Sequence, residues 1–244
     1  LQIGIILIPA VTYAALILGQ AFPESQDEGA ASTGQNFKAM LSPLYLFMLA
    51  CMALTAISEF GPEQWIGPVL GHAGASPMLI LALVTGLMAV GRYFAGPIVH
   101  NLNPTGVLLG SAIFATIGVV LMSQAEGAMV YVSAVIFAIG VCYFWPTMIG
   151  FVAEYLPRTG AFGMSIIGGM GMFSTSIFQP IIGKWLDDEK ATAAAKGLTG
   201  QELDLAAGQA TLDNMAVFPF ILIIAFAVLY FIMRKQTPAG AKAH

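Results

Sequence analysis

Ionisable and polar side chains are scarce in this sequence, and several recur at helical spacing inside long apolar runs. Tyr45, Met48, Met52, Thr55 and Glu59 follow one another at intervals of three and four, which puts them on one face of a helix. The stretch continues as Gly61-Pro62-Glu63-Gln64-Trp65, where the proline predicts a break that brings Gln64 and Trp65 to a helix end. Broken helix ends inside a membrane are a recurring way of presenting polar groups to a transported solute. Tyr45, Thr55, Glu59, Gln64 and Trp65 are therefore candidate solute-binding or gating residues. A plainer reading solvates Glu59 and Glu63 at the outer membrane surface and makes Trp65 an interfacial anchor.

Two further stretches offer polar groups. Gly140, Cys142, Tyr143, Trp145, Pro146 and Thr147 set aromatics beside a mid-span proline, which predicts a kink with freed carbonyls. Rings beside such a kink suit stacking on a sugar-like face. Tyr143 and Trp145, two positions apart, cannot both face one cavity, so one of them belongs to the core. Ser165, Met172, Ser176 and Gln179 share another helical face, with Gln179 just before Pro180 as its best polar candidate. Gly163, Gly168, Gly169 and Gly171 read as a face for close helix packing, as does the Gly106/Gly110 pair.

The stretch MAVGRYFAGPIVHNLNPTG, from Met88 to Gly106, carries an arginine at the end of a long apolar run. An unpartnered arginine at a helix centre costs about 2.5–3.5 kcal/mol even on the lenient insertion scales, so Arg92 is expected at a membrane face. Gly91 and Gly96 flank it, Pro97 limits regular helix, and a helix restarts at Asn103-Pro104. The segment reads as a hinge between two spans. Glu154 and Arg158, in the short loop EYLPRTG, are expected on the same face, where a Glu154–Arg92 or Glu154–Arg158 contact would form a latch. The alternative is that these are surface charges.

Elements able to hold such residues follow from composition. With 58% apolar and 9% charged residues, the chain lies far from the soluble average. It reads as an integral membrane protein. Seven stretches approach the roughly 20 apolar residues a span requires: residues 1–18, 40–60, 77–99, 106–123, 128–152, 160–185 and 215–233. Residues 19–39 are polar and read as a linker, and 186–214 as a longer loop that holds a short surface helix begun at Thr199. Lys38, Arg92, Arg158, Arg234, Lys235 and Lys242 fall on one side, against Lys184, Lys190 and Lys196 on the other. The bias puts the first set, and residues 234–244, on the cytoplasmic side.

The same composition excludes other chemistry. No basic block suited to nucleic acid occurs, Cys51 and Cys142 sit in apolar runs, and the three histidines are widely separated. Neither a metal site nor a cofactor is expected. An intramembrane hydrolase would need a base near a serine, and the helices offer no histidine for it.

The GPEQWIGPVL helix end, the GRYFAGP hinge, GVCYFWPTMIGFVAEYLP and GMSIIGGMGMFSTSIFQPIIGKWLD, in that order, resemble the C-terminal half of a bacterial major facilitator superfamily transporter. GRYFAGPIVHNLNPTG resembles a degenerate copy of that superfamily's G…DRxGR loop motif, with its acidic residue missing. Among its branches the pattern is similar to sugar/proton symporters of the fucose and galactose kind. The resemblance implies an all-α fold: the end of a sixth helix (1–18), a cytoplasmic linker (19–39) and a six-helix bundle (40–233), with the N-terminal half of the same chain as a missing partner. It also implies alternating access in the bacterial inner membrane, with a small polar solute, a sugar among the candidates, and a proton or sodium as coupling ion. A half-size homodimeric carrier, a channel and a non-transport membrane module are the alternatives.

Overall fold

The computed structural model describes residues 2–20, 33–70 and 73–234, and every described element is helical. Helix α1 (Gln2–Ile17) is apolar and stands as a unit of its own. The remainder forms one bundle: α2 (Thr33–Met40), α3 (Pro43–Leu70), α4 (Pro77–Tyr93), α5 (Ala95–Met122), α6 (Met129–Val141), α7 (Phe144–Tyr155), α8 (Gly160–Ala195), α9 (Gly200–Met215) and α10 (Val217–Met233). Five stretches are long and apolar enough to cross a membrane: Pro43–Gly67, Leu102–Met122, Met129–Tyr155, Pro157–Ala195 and Gly200–Met233. This is a multi-pass, all-α membrane bundle.

Helix α3 is its axis. It packs against α2, α4, α6, α7, α8, α9 and α10, and its Tyr45, Met48, Met52, Ala56 and Ile57 are almost wholly buried. Tyr45 donates its hydroxyl to the Gly163 carbonyl of α8 at 2.8 Å, and Ser174 of α8 donates to the Ala53 carbonyl at 2.7 Å. These two bonds tie α3 to α8 along their length. Helices α5 and α6 meet still more closely. A Cβ on Gly118 would strike the Phe137 backbone, and one on Gly140 would strike the backbone of Ala115, so the small residues let the two main chains touch.

Apolar side chains also point outward along α4, α5, α8 and α10, among them Met78, Phe114, Phe173 and Phe231. In water such a surface would drive association, whereas against hydrocarbon it is the expected exterior.

Three features differ from the sequence expectation. Pro62 does not end its helix: α3 runs through it to Leu70. The bundle around α3 holds the chain in helical conformation past the missing N–H, as spanning helices commonly tolerate. The span 128–152 is interrupted between Val141 and Phe144, as its mid-span proline predicts: Pro146 has no N–H to offer the Cys142 carbonyl. Residues 186–214 hold the helix expected after Thr199, but neither within a loop nor on the surface. Helix α8 continues unbroken to Ala195, and α9, preceded by Thr199 in extended backbone, buries Ala207, Gly208, Thr211 and Leu212 against its neighbours. The expected linker holds α2 at residues 33–39, while residues 21–32 and the tail 235–244 lie outside the described residues. The hinge after α4 is present: Phe94 interrupts the helix, and Asn103, at φ +60°, interrupts it again before Pro104.

Candidate functional site: a charged contact at mid-span

Arg92 lies near the end of α4 and reaches two other elements. Its Nη2 donates to Glu59 Oε1 of α3 at 3.2 Å, an ion pair, and its Nε donates to the Cys142 carbonyl at 3.0 Å. Cys142 sits 13 residues from either end of the span Met129–Tyr155 (142 − 129 and 155 − 142), which is the middle of the span. Arg92 is therefore deep, not at a membrane face. The expectation failed because it supposed an arginine without partners, and here two are built in. Pro146 removes the N–H that would normally occupy the Cys142 carbonyl, and the guanidinium supplies the missing donor.

Glu59 is 2% exposed, and its second carboxylate oxygen, Oε2, has no hydrogen-bond partner. Counted along Pro43–Gly67 it lies 8 residues before the end (67 − 59), or about 12 Å at the helical rise. It is not a surface carboxylate. The Arg92 side chain, by contrast, is 40% exposed, so the pair has one sealed and one open end. Around it, Tyr143 donates its hydroxyl to the Gly91 carbonyl at 3.1 Å, and Cys142 Sγ approaches the Met88 carbonyl at 3.5 Å. A Cβ on Gly91 would press within 2.6 Å of that sulfur, so glycine is what lets α4 seat against the break.

A second polar contact lies on α3 beyond Glu59. Trp65 Nε1 donates to Gln179 Oε1 at 2.6 Å, and Gln179 Nε2 donates to the Phe60 carbonyl at 3.1 Å. The Trp65 ring rests on Gly183, which binds this end of α3 to α8. Trp145 packs edge-on to Phe60, with ring centroids 5.8 Å apart, and fills the space left by Gly171. No match is found for this chain among family models, curated proteins or solved structures.

The structure thus brings together Glu59, Gly91, Arg92 and Tyr143 at one point, and Trp65 with Gln179 at another. It does not bring in the rest. Tyr45 is a buried pin between α3 and α8, and the Thr55 hydroxyl is bonded within its own helix to the Met52 carbonyl. Gln64 and Gly96 are exposed. Arg92 pairs with Glu59 rather than with Glu154, and neither Glu154 nor Arg158 enters an ion pair among the described residues. Ser165 and Ser176 bond back to their own helix. The Cys142 carbonyl was missed as a named partner, although Pro146 four residues later is the signal that exposes it. The described residues contain no group of three potential metal ligands.

Chemically, a part-exposed arginine side chain held by a sealed carboxylate and by a carbonyl freed at a helix break can exchange partners. A polar solute or an ion can compete for the open side of Arg92, and the break in α6–α7 can respond.

Proposed function

We propose that the chain forms the C-terminal half of a secondary carrier of the major facilitator type, not an enzyme, and that it moves a small polar solute by alternating access. The observation that carries this reading is the Arg92–Glu59 pair, which joins α3, α4 and the α6–α7 break at mid-span. Charged residues at that depth are costly and mark solute or ion pathways. An arginine side chain that is 40% exposed there needs water or a polar partner on its open side, not hydrocarbon. In the proposed cycle the solute engages Arg92 from that side and loosens its bond to Glu59. A proton or sodium ion taken up at the unpartnered Glu59 oxygen then offsets the carboxylate, which couples the two movements. Sugars are the solute class favoured by the sequence resemblance.

The reading also gives an orientation in a bacterial inner membrane with the C-terminus cytoplasmic. With Arg92 at mid-span, five loop cations (Lys38, Arg158, Arg234, Lys235, Lys242) remain on the cytoplasmic side, against three (Lys184, Lys190, Lys196) opposite. That still follows the positive-inside rule. A complete carrier needs a second half, from a longer chain or a second copy, and the mass of the native particle, compared with 25.6 kDa, distinguishes them.

The test is uptake into proteoliposomes of the full native protein, with labelled monosaccharides and other small polar solutes, under imposed proton or sodium gradients. Saturable, gradient-driven uptake that falls at least about tenfold in Glu59→Gln is expected; tenfold corresponds to about 1.4 kcal/mol. Flux without saturation would make the protein a channel, and flux equal to empty vesicles would overturn the reading.

A further inference from the structure

Arg92 does not use all of its donors. Of the five N–H groups of an arginine, that on Nε goes to the Cys142 carbonyl and one on Nη2 goes to Glu59 Oε1, and the others have no partner among the described residues. Nε and Nη2 share one edge of the planar guanidinium, so the edge formed by Nη1 and Nη2 still presents two parallel N–H groups. That fork matches the two oxygens of a carboxylate. The Arg92 side chain is 40% exposed, whereas the free oxygen of Glu59 is sealed, so the group that the contact opens outward is the arginine.

Glu63 supplies the opposite charge. It follows Glu59 by four residues on α3, which makes the two neighbours on one helix face, about 5–6 Å apart at Cβ. Glu63 is part-buried and enters no hydrogen bond or ion pair among the described residues, and it lies within electrostatic reach of both Arg92 and Glu59. With ordinary charges, two carboxylates against one guanidinium leave the contact net negative. A simple anion adds to that excess where charge is already costly, and a simple amine leaves the Arg92 fork empty. A zwitterion does neither. We infer that the open side of the Arg92–Glu59 contact binds a zwitterionic amino acid, with its carboxylate on the Nη1–Nη2 edge of Arg92 and its ammonium on Glu63. Carboxylate and ammonium on one carbon suit charges about one helical turn apart, so α-amino acids are the class expected. The inference names a solute class for the carrier reading and rests on it. The sequence resemblance favours sugars, the charges at the contact favour a zwitterion, and the test separates the two.

The test is calorimetric binding to the full native protein in nanodiscs of phosphatidylcholine and phosphatidylglycerol. The probes are L-alanine, L-leucine and L-phenylalanine, each beside its deaminated counterpart: propionate, 4-methylpentanoate and 3-phenylpropionate. Saturable binding of at least one amino acid is expected, about tenfold or more tighter than its counterpart, as one charge-assisted hydrogen bond to the ammonium provides. Glu63→Gln alters an unpaired position and leaves the Arg92–Glu59 pair intact, so the fold is retained. It should weaken the amino acid about tenfold and leave the deaminated acid as tight as before or tighter. A merely structural role for Glu63 would weaken both alike. No binding of any amino acid, a deaminated acid bound as tightly as its parent, or wild-type amino-acid affinity in Glu63→Gln would overturn the inference. Saturable monosaccharide uptake without amino-acid binding would overturn it and leave the carrier reading standing. Amino-acid binding with vesicle flux equal to empty vesicles would support the assigned ligand and overturn the carrier reading.

Discussion

Removing either member of the Arg92–Glu59 pair should destabilise the bundle, but unequally, and the inequality follows from burial. Arg92→Gln strands the Glu59 carboxylate, which is 2% exposed, and leaves the Cys142 carbonyl without the donor that Pro146 already denied it. Breaking a buried pair in this way costs about 3–5 kcal/mol, and an orphaned carbonyl adds about 1 kcal/mol. Glu59→Gln is milder. Arg92 keeps its bond to Cys142, finds a neutral acceptor in the new amide and is itself 40% exposed, so the loss is about 1–2 kcal/mol. The double substitution removes both charges and leaves mainly the carbonyl unsatisfied, about 1–3 kcal/mol in all. The singles therefore sum to more than the double by at least about 2 kcal/mol, a coupling well above the 0.3–0.5 kcal/mol scatter of independent sites. The assay is a double-mutant cycle on reversible unfolding in mixed micelles. Additivity within about 0.5 kcal/mol, or a Glu59→Gln loss larger than that of Arg92→Gln, would refute the reasoning.

Other substitutions test neighbouring links. Pro146→Ala restores an N–H facing the Cys142 carbonyl, so it should compete with Arg92, straighten the α6–α7 break and lower uptake with little loss of fold; vesicle uptake and thermal unfolding check this together. Tyr45→Phe removes the bond to Gly163 and should cost about 0.6–1.7 kcal/mol, the range for interhelical hydrogen bonds in membranes, read by denaturant unfolding. Gly118→Val forces α5 away from α6 and should cost about 1–3 kcal/mol or more, seen as a lowered melting temperature. Trp65→Phe leaves Gln179 Oε1 without its donor, and the loss of about 1 kcal/mol should be largely recovered by adding Gln179→Leu.

Much of the helix pattern was legible in the sequence because apolar run length alone reports it. Depth and partnership were not. The price of a lone arginine in hydrocarbon is a one-body quantity, and it put Arg92 at a surface, whereas the chain solves the problem with a carboxylate 33 positions earlier and a carbonyl 50 positions later. Nothing local in the sequence links these positions. The α8 extension was missed for a related reason: its Asp187-Asp188-Glu189-Lys190 run looks like a loop, yet Lys190 pairs with Asp204 and Glu189 accepts from Asn214, so α9 supports it as helix. The freed carbonyl near Pro146 was foreseeable, since a proline always leaves one four residues back; which donor would claim it was not.

Helix α8 has a mechanical consequence. It runs 36 residues without a break, about 54 Å, whereas the hydrocarbon core of a bilayer is about 30 Å thick. Its last turns, braced by α9, continue the same helix that carries Gly171 and Gln179, with Pro180 held inside it without a break. From Gly171 to Lys196 is 25 residues (196 − 171), about 37 Å, so a tilt of about 10° at mid-membrane sweeps the tip through roughly 6 Å. Motion at mid-membrane too small to resolve by distance labels is amplified at Lys196 into one that a pair of spin labels can follow.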